Sequence, residues 1–342
     1  MAQKNSGNVT LHDVAAAANV SVATVSNYLS GYPHMRPATK ERVRKAIDDL
    51  GYVANRAART LKTGRTGLIT FSVSDLRQTY FAELAERIIA AARYRGYGVM
   101  IESTGLNRGR EIDSIATVKR RMMDGLIISP ARMGADDAAV FEGTYPLVML
   151  GTQPFEAPCP HITVDNVQAA YDATMHLIKA GCSRIALVGG AEGGVESSRT
   201  ARVRGYVRAL EAAGRPVRRD MIRTVDDWNA LGGARAVAAL FDDGIRPDGI
   251  VACNDHLAIG VMRQLKDLGL SIPGDVRVVG FDNIEDSRFS IPSLASVDLN
   301  ADMVAIKAVD SVIDQAMAGG RAEACVEHVP HSLAYRASSP EV

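Results

Sequence analysis

The sequence predicts a small all-α helix-turn-helix headpiece at the N-terminus, followed by an α/β core of two subdomains built on parallel sheets. Three observations support this: a capped helix pair over residues 10–29, a basic N-terminal segment on an acidic body, and short apolar runs alternating with amphipathic stretches beyond residue 66. Thr10 stands three residues before Asp13, the spacing of a capping box, and a carboxylate in the first turn suits the positive end of the helix dipole. Ser21 caps a second helix that runs to Leu29. Val14, Ala18, Val20, Val25 and Leu29 form an apolar seam, and the small side chains of Ala15 to Ala18 let the two helices cross closely. That leaves Val22, Ala23, Thr24, Ser26 and Asn27 free at the start of the second helix, where a recognition helix meets base edges. The helices alone fit a hairpin packed on a larger domain equally well.

The next segment tips that balance. Pro37 suits the first turn of a third helix, which places Val43, Ala46, Ile47 and Leu50 on one side and Lys40, Arg42, Arg44 and Lys45 on the others, before Gly51 ends it. Residues 1–66 hold ten Lys or Arg against four Asp or Glu, an excess of +6, so the zero net charge of the chain conceals a basic head on a body of −6. Such asymmetry points to a polyanion at one end.

With Tyr52-Val53-Ala54-Asn55-Arg56-Ala57-Ala58-Arg59-Thr60-Leu61-Lys62-Thr63-Gly64 added to the helix pair, the chain resembles the lactose-repressor (LacI) type of bacterial transcription regulator, from Thr10 to about Ser338. The resemblance implies a headpiece over 1–51, a hinge over 52–66 that becomes helical on operator DNA, and a periplasmic-binding-protein-like core over 67–342. Leu61 matches the leucine that wedges into the minor groove, and Asn55 and Ala58 match its neighbours. Such a wedge sacrifices stacking to bend the duplex onto more protein. Ala54 departs from the proline of many relatives and loosens the helix start. The candidate DNA contacts are thus Thr10, Ser21, Val22, Ala23, Thr24, Ser26 and Asn27 with Asn55, Ala58, Leu61 and Lys62.

Beyond Thr66, strands are expected at Leu68–Val73, Gly98–Ile101, Leu126–Ile128, Leu147–Leu150, Ile185–Val188, Ile250–Ala252 and Val276–Val279, as β-rich runs buried on both faces. So long a segment exceeds one core and suggests two subdomains with a cleft between them. The family pattern divides the core at about 67–165 plus 297–326 and about 166–296 plus 327–342. Loops at the carboxyl ends of parallel strands line ligand crevices, which singles out Ser74, Asp75, Arg202, Asn254 and Asp282. The resemblance implies that Arg202, Asn254 and Asp282 hydrogen-bond an effector, and an arginine with carboxylates can fork onto vicinal hydroxyls. Asp255 alone reads as a helix cap, as does Asp75. Tyr80, Phe81 and Trp228 match places where relatives stack rings on the effector, and their flat faces suit a pyranose or a purine. Gly151 and Leu299 stand where the lactose repressor carries polar effector contacts, so a galactoside is not expected.

Other classes fit less well. Gly189-Gly190-Ala191-Glu192-Gly193-Gly194 lacks the order of a dinucleotide loop and the ending of a P-loop. The seven histidines show no metal spacing, and no serine sits in a nucleophile elbow. Cys159, Cys182, Cys253 and Cys325 read as buried reduced thiols. A solute-binding protein would need a signal peptide and no basic head, the reverse of what stands here. The expectation is a non-enzymatic, cytoplasmic, nucleoid-associated repressor without a cofactor. It binds double-stranded operator DNA as a homodimer and answers to a small-molecule effector, a sugar or sugar derivative, with a purine or nucleoside co-repressor as the alternative. The final residues carry no heptads, so no tetramer is expected.

Overall fold

The computed structural model describes residues 9–29, 32–52, 64–152, 157–193 and 196–342. The chain divides into two units, Met1–Thr66 and Gly67–Val342. In the first unit, α1 (Leu11–Ala18) opens on a capping box in which the Thr10 hydroxyl accepts from the Asp13 N–H and the Asp13 carboxylate accepts from the Thr10 N–H. Asn19, left-handed at φ 49°, closes it. α2 (Val22–Leu29) starts where the Ser21 hydroxyl accepts from the Thr24 N–H at 3.2 Å. α3 (Pro37–Leu50) carries proline in its first turn and ends on left-handed Gly51. Val14, Ala15, Ala18, Val25, Val43 and Ala46 form the core of this unit.

The second unit contains two six-stranded sheets. The first holds β1 (Leu68–Val73), β2 (Gly98–Ser103), β3 (Gly125–Ile128), β4 (Leu147–Leu150), β5 (His161–Val164) and β11 (Val326–Val329), ordered β11-β5-β4-β3-β1-β2 and parallel throughout. The second holds β6 (Ile185–Val188), β7 (Ile222–Arg223), β8 (Gly249–Ala252), β9 (Arg277–Phe281), β10 (Ala295–Asp298) and β12 (Ser332–Ala334), ordered β12-β10-β9-β8-β6-β7. It is parallel except for the edge strand β12. The chain therefore passes between sheets after β5, after β10 and after β11. β11 stays paired to β5 as far as Val329, so the first sheet keeps three residues beyond the expected boundary at 326.

The helices of this unit are α4 (Thr79–Tyr94), α5 (Arg108–Lys119), α6 (Asn166–Lys179), α7 (Ser198–Ala212), α8 (Ala230–Asp242), α9 (Asp255–Asp267), α10 (Glu285–Phe289) and α11 (Ala301–Ala318). Every expected strand is present. The strands that were not expected, β5, β7, β10, β11 and β12, include three of the four outer ones, and β11 exposes Val326, Glu327 and His328, which removes the apolar signature of a buried strand. Gly205 lets α6 and α7 approach closely, since a Cβ there would lie 2.1 Å from the Val167 carbonyl oxygen. That approach brings Arg202, on the same helix, within reach of Asn166. Cys159, Cys182 and Cys253 are buried, whereas Cys325 is exposed, contrary to the expectation of four buried thiols, because it immediately precedes the exposed strand β11.

Candidate functional site

In the headpiece, Ala23 and Asn27 lie one turn apart on α2 and are both exposed. Thr24 is partly buried, with its hydroxyl 2.9 Å from that of Ser21, and Ser26 is partly buried beside them. Val22 differs from the expected open position: it packs partly against the core around Val25, because its branched side chain closes the seam at the start of the helix. The Thr10 hydroxyl is already engaged, donating to Asp13 at 2.7 Å. On α3, Arg44 pairs with Glu41 and Asp48, and Lys45 with Asp49. Arg36, Lys40 and Arg42 form no ion pair among the described residues, so only part of the basic excess counted in the sequence is unpaired. Asn55, Ala58, Leu61 and Lys62 lie outside the described residues.

In the core, the carboxyl ends of the two sheets face each other. Three hydrogen bonds span the gap: Thr79 Oγ1 with His256 Nε2 at 2.9 Å, the Glu285 N–H to Glu83 Oε1 at 2.8 Å, and Asn166 Nδ2 to Thr152 Oγ1 at 3.1 Å. Arg202 sits at the centre of the second wall and is buried. It donates from Nε to Asn166 Oδ1 at 2.9 Å and from Nη1 to the Cys253 carbonyl, and its guanidinium carbon lies 4.2 Å from the centroid of the Phe281 ring. Two hydrogen bonds and a ring face fix the orientation of this fork. Its Nη2 has no hydrogen bond among the described residues.

Asp282 follows β9 on a left-handed backbone, φ 102°, and Asn283 continues it at φ 52°. Such a conformation in a residue with a side chain persists only where its surroundings impose it. The carboxylate of Asp255 does so. It accepts from the Ile284 N–H at 3.0 Å, from Ser287 Oγ at 2.6 Å and from Ser296 Oγ at 2.6 Å. Burial pushes Asp255 up to about 7 against those donors. A Cβ on Gly280 would lie 2.1 Å from Asp255 Oδ1, so the bare glycine makes room for this carboxylate. Asp255 is thus not the helix cap the sequence suggested. Asn254 caps α9, accepting from the Leu257 N–H at 2.7 Å and donating to the Trp228 carbonyl at 3.3 Å.

The Asp282 carboxyl itself has no hydrogen-bond partner among the described residues. Burial raises it well above the usual carboxylate range; Arg202 pulls it down, and Asp255 and Glu83 push it further up. Tyr80 is raised chiefly by burial and then by the charge of Asp282. Tyr80 and Phe81 meet edge to face at 5.5 Å. The Arg202 guanidinium carbon is 5.9 Å from the Trp228 ring centroid. The structure therefore gathers Tyr80, Arg202, Trp228, Asn254 and Asp282. Ser74 is buried under the first wall, and Asp75 is committed to Arg77 through both oxygens rather than capping α4, whose N-cap is Gln78. That pairing holds Asp75 below its ordinary value. Burial pushes the Cys253 thiol up to about 12.

The sequence reading missed Asn166, Phe281, Glu83 and His256. Asn166 had a signal, since it opens the helix directly after the first crossover. The others are brought in by tertiary packing alone. Among the described residues, no cluster of His, Cys, Asp or Glu could hold a metal, and no helix is long and apolar enough to cross a membrane.

The arrangement has close counterparts. Residues 10–55 match the family model of bacterial regulatory proteins, lacI family, and residues 174–339 match the periplasmic binding protein-like domain. The chain is 30% identical to catabolite control protein A of Priestia megaterium over 97% of its length and 99% of that protein. The lac repressor dimer bound to operator and the anti-inducer ONPF superposes with a TM-score of 0.82 at 26% identity, over 98% of this chain and 100% of that one. The transcriptional regulator CelR in complex with cellobiose superposes with a TM-score of 0.69 at 26% identity, over 97% and 100% of the respective chains.

Proposed function

Because the chain belongs to the lacI family of bacterial regulatory proteins, and is a DNA-binding transcriptional regulator, we propose that it is a homodimeric repressor whose hold on a pseudo-palindromic operator is switched by a sugar or sugar derivative bound between the two sheets. The observation that carries this reading is the presence of Arg202 and Asp282 together at the carboxyl ends of the second sheet's strands. A fixed fork of donors and a carboxyl without a hydrogen-bond partner, both at the carboxyl ends of strands, suit vicinal hydroxyls. The cellobiose bound to one structural neighbour and the dimeric, operator-bound state of another support the same reading. In the headpiece, Ala23 offers a methyl to thymine and Asn27 an amide to adenine, with Thr10, Ser21, Val22, Thr24 and Ser26 as further candidate contacts.

The switch works by linkage. Arg202 is joined through Asn166 to Thr152, and Asn166 stands at the first crossover between the sheets. A ligand that engages Arg202 therefore bears directly on the hinge of the cleft. It shifts the equilibrium only by its differential affinity for the two arrangements, and operator affinity follows by reciprocity.

Retardation of DNA from upstream of the protein's own gene, with and without a panel of saccharides, tests this. The expected result is a complex that survives excess random DNA and that one saccharide dissolves or strengthens. Equal retardation of random DNA would overturn operator recognition, and a complex that no saccharide alters would overturn the effector reading.

A further inference from the structure

Arg199 lies one turn before Arg202 on α7 and was not among the residues the sequence suggested. Its Nη2 donates to the Val225 carbonyl, and its guanidinium carbon lies 5.1 Å from the centroid of the Trp228 ring. Two donors in this stack, Arg199 Nε and Trp228 Nε1, are buried without a partner among the described residues. Buried donors are nearly always satisfied, and two side by side call for a cause. Arg223, Arg277 and Arg321 each also leave one nitrogen unsatisfied, but singly, with no second unpartnered donor stacked against them among the described residues: Arg223 pairs with Asp243, and Arg321 holds the carbonyls of Tyr145, Phe141 and Pro158.

Arg199 has no ion pair among the described residues. Burial lowers its guanidinium from the ordinary value; Cys253 and the exposed Asp226 oppose this, and the positive charge of Arg132 adds to it. A neutral hydroxyl would satisfy one donor. An anionic oxygen accepts from guanidinium and indole together and compensates a charge drawn out of water.

We propose that the effector carries an anionic group, a carboxylate or a phosphate, received by Arg199 and the Trp228 indole N–H beside Arg202 and Asp282. The proposal rests on the reading of the cleft as the effector site. The cleft then takes a sugar acid or a sugar phosphate rather than the neutral sugar.

Trp228 is the only tryptophan in the chain, so its emission in the full-length protein reports on this subsite directly. The probes are D-glucose, D-gluconate, D-glucuronate, D-glucose 6-phosphate and inorganic phosphate. At least one anion is expected to change the emission saturably and at least tenfold more tightly than D-glucose, and comparison of the carboxylates with the phosphates identifies the group. Arg199→Gln, shown to be folded by its melting transition, is expected to lose at least tenfold in affinity for that anion. Trp228→Phe, followed by calorimetry, should lose severalfold. The proposal is overturned if no anion alters the emission, or if Arg199→Gln binds the anion as the parent does. Sensitivity to Arg199→Gln without sensitivity to Arg202→Ala would keep the anion subsite and overturn the hydroxyl reading of the cleft; the opposite pattern would do the reverse.

Discussion

The first wall of the cleft presents polar groups that are already in use. Asp75 is held by Arg77, Glu83 by Arg87 and the Glu285 N–H, and Thr79 by His256, which leaves the rings of Tyr80 and Phe81 as its open chemistry. The second wall presents Arg202 and Asn254, buried and held by neighbours that do not exhaust their hydrogen-bonding capacity, and Asp282, whose carboxyl has no hydrogen-bond partner among the described residues. Exposed, paired charges contribute little to binding, whereas a charge fixed in a desolvated site contributes a great deal. On the proposed reading, recognition resides on the second wall, and the first serves as a cover with an aromatic lining, fastened by three hydrogen bonds.

The sharpest way to break this comparison is to truncate each wall in turn. Arg202→Ala and Asp282→Ala should each weaken the effector by about 2 to 5 kcal/mol, the scale for removing one charged partner from a desolvated site. Tyr80→Ala should cost about 0.5 to 1.5 kcal/mol, the scale of an aromatic contact. Calorimetry on the three variants decides it, and a loss at Tyr80 equal to that at Arg202 would mean that the walls share recognition.

Asp255 sharpens the comparison in a different way, because it shapes the second wall without facing the ligand. Its carboxyl is raised from 3.8 to about 7, so the folded chain binds a proton there that the unfolded chain releases. The stabilisation is therefore fully present below about pH 4, falls as pH rises, and is gone above about pH 7. Asp255→Asn removes the titration, so its melting temperature should lack this decline, whatever its absolute stability. A decline of equal slope in the variant would show that other groups produce it.

The headpiece was largely legible because its signals are local. The capping box at Thr10, the cap at Ser21, Pro37 and Gly51 each act within a few residues, and a pattern read along the chain captures them. Its one altered residue, Val22, turns partly inward through packing against Val25 and its neighbours. The buried central strands were legible for the same reason. The cleft was legible only as a set of positions: that polar residues follow strands is a property of the topology, but which of them are free is not. Asp75 is consumed by Arg77 two residues away, Asp255 is consumed by residues 29 to 41 positions distant, and Arg202 is oriented by Asn166, 36 positions back. Charge in the headpiece has the same limit, since counting cannot show that Arg44 and Lys45 are neutralised along their own helix. Exchanging Ala23 and Asn27 tests the local side of this contrast. Each base-reading side chain is worth about 1 to 3 kcal/mol of discrimination, and a selection from random DNA that returns the parent's operator would remove both from the readout.

The smallest expected effect concerns the fastening of the cover. Thr79 Oγ1 and His256 Nε2 share a hydrogen bond of 2.9 Å between the start of α4 and the start of α9, one on each wall. A neutral hydrogen bond at a partly buried site contributes about 0.5 to 1.5 kcal/mol net, because both groups recover water when it breaks. Thr79→Val keeps the shape of the side chain and removes the hydroxyl, so it disfavours the closed arrangement by that amount without touching the ligand. If the effector binds the closed arrangement, its affinity should fall by up to about tenfold, in keeping with about 1.4 kcal/mol per decade, while Thr79→Ser restores it. The loss should be the same for every ligand of the cleft, since the bond acts on closure and not on recognition. A loss as large as that of Arg202→Ala, or one that varies with the chemistry of the ligand, would place recognition on the first wall and break the comparison.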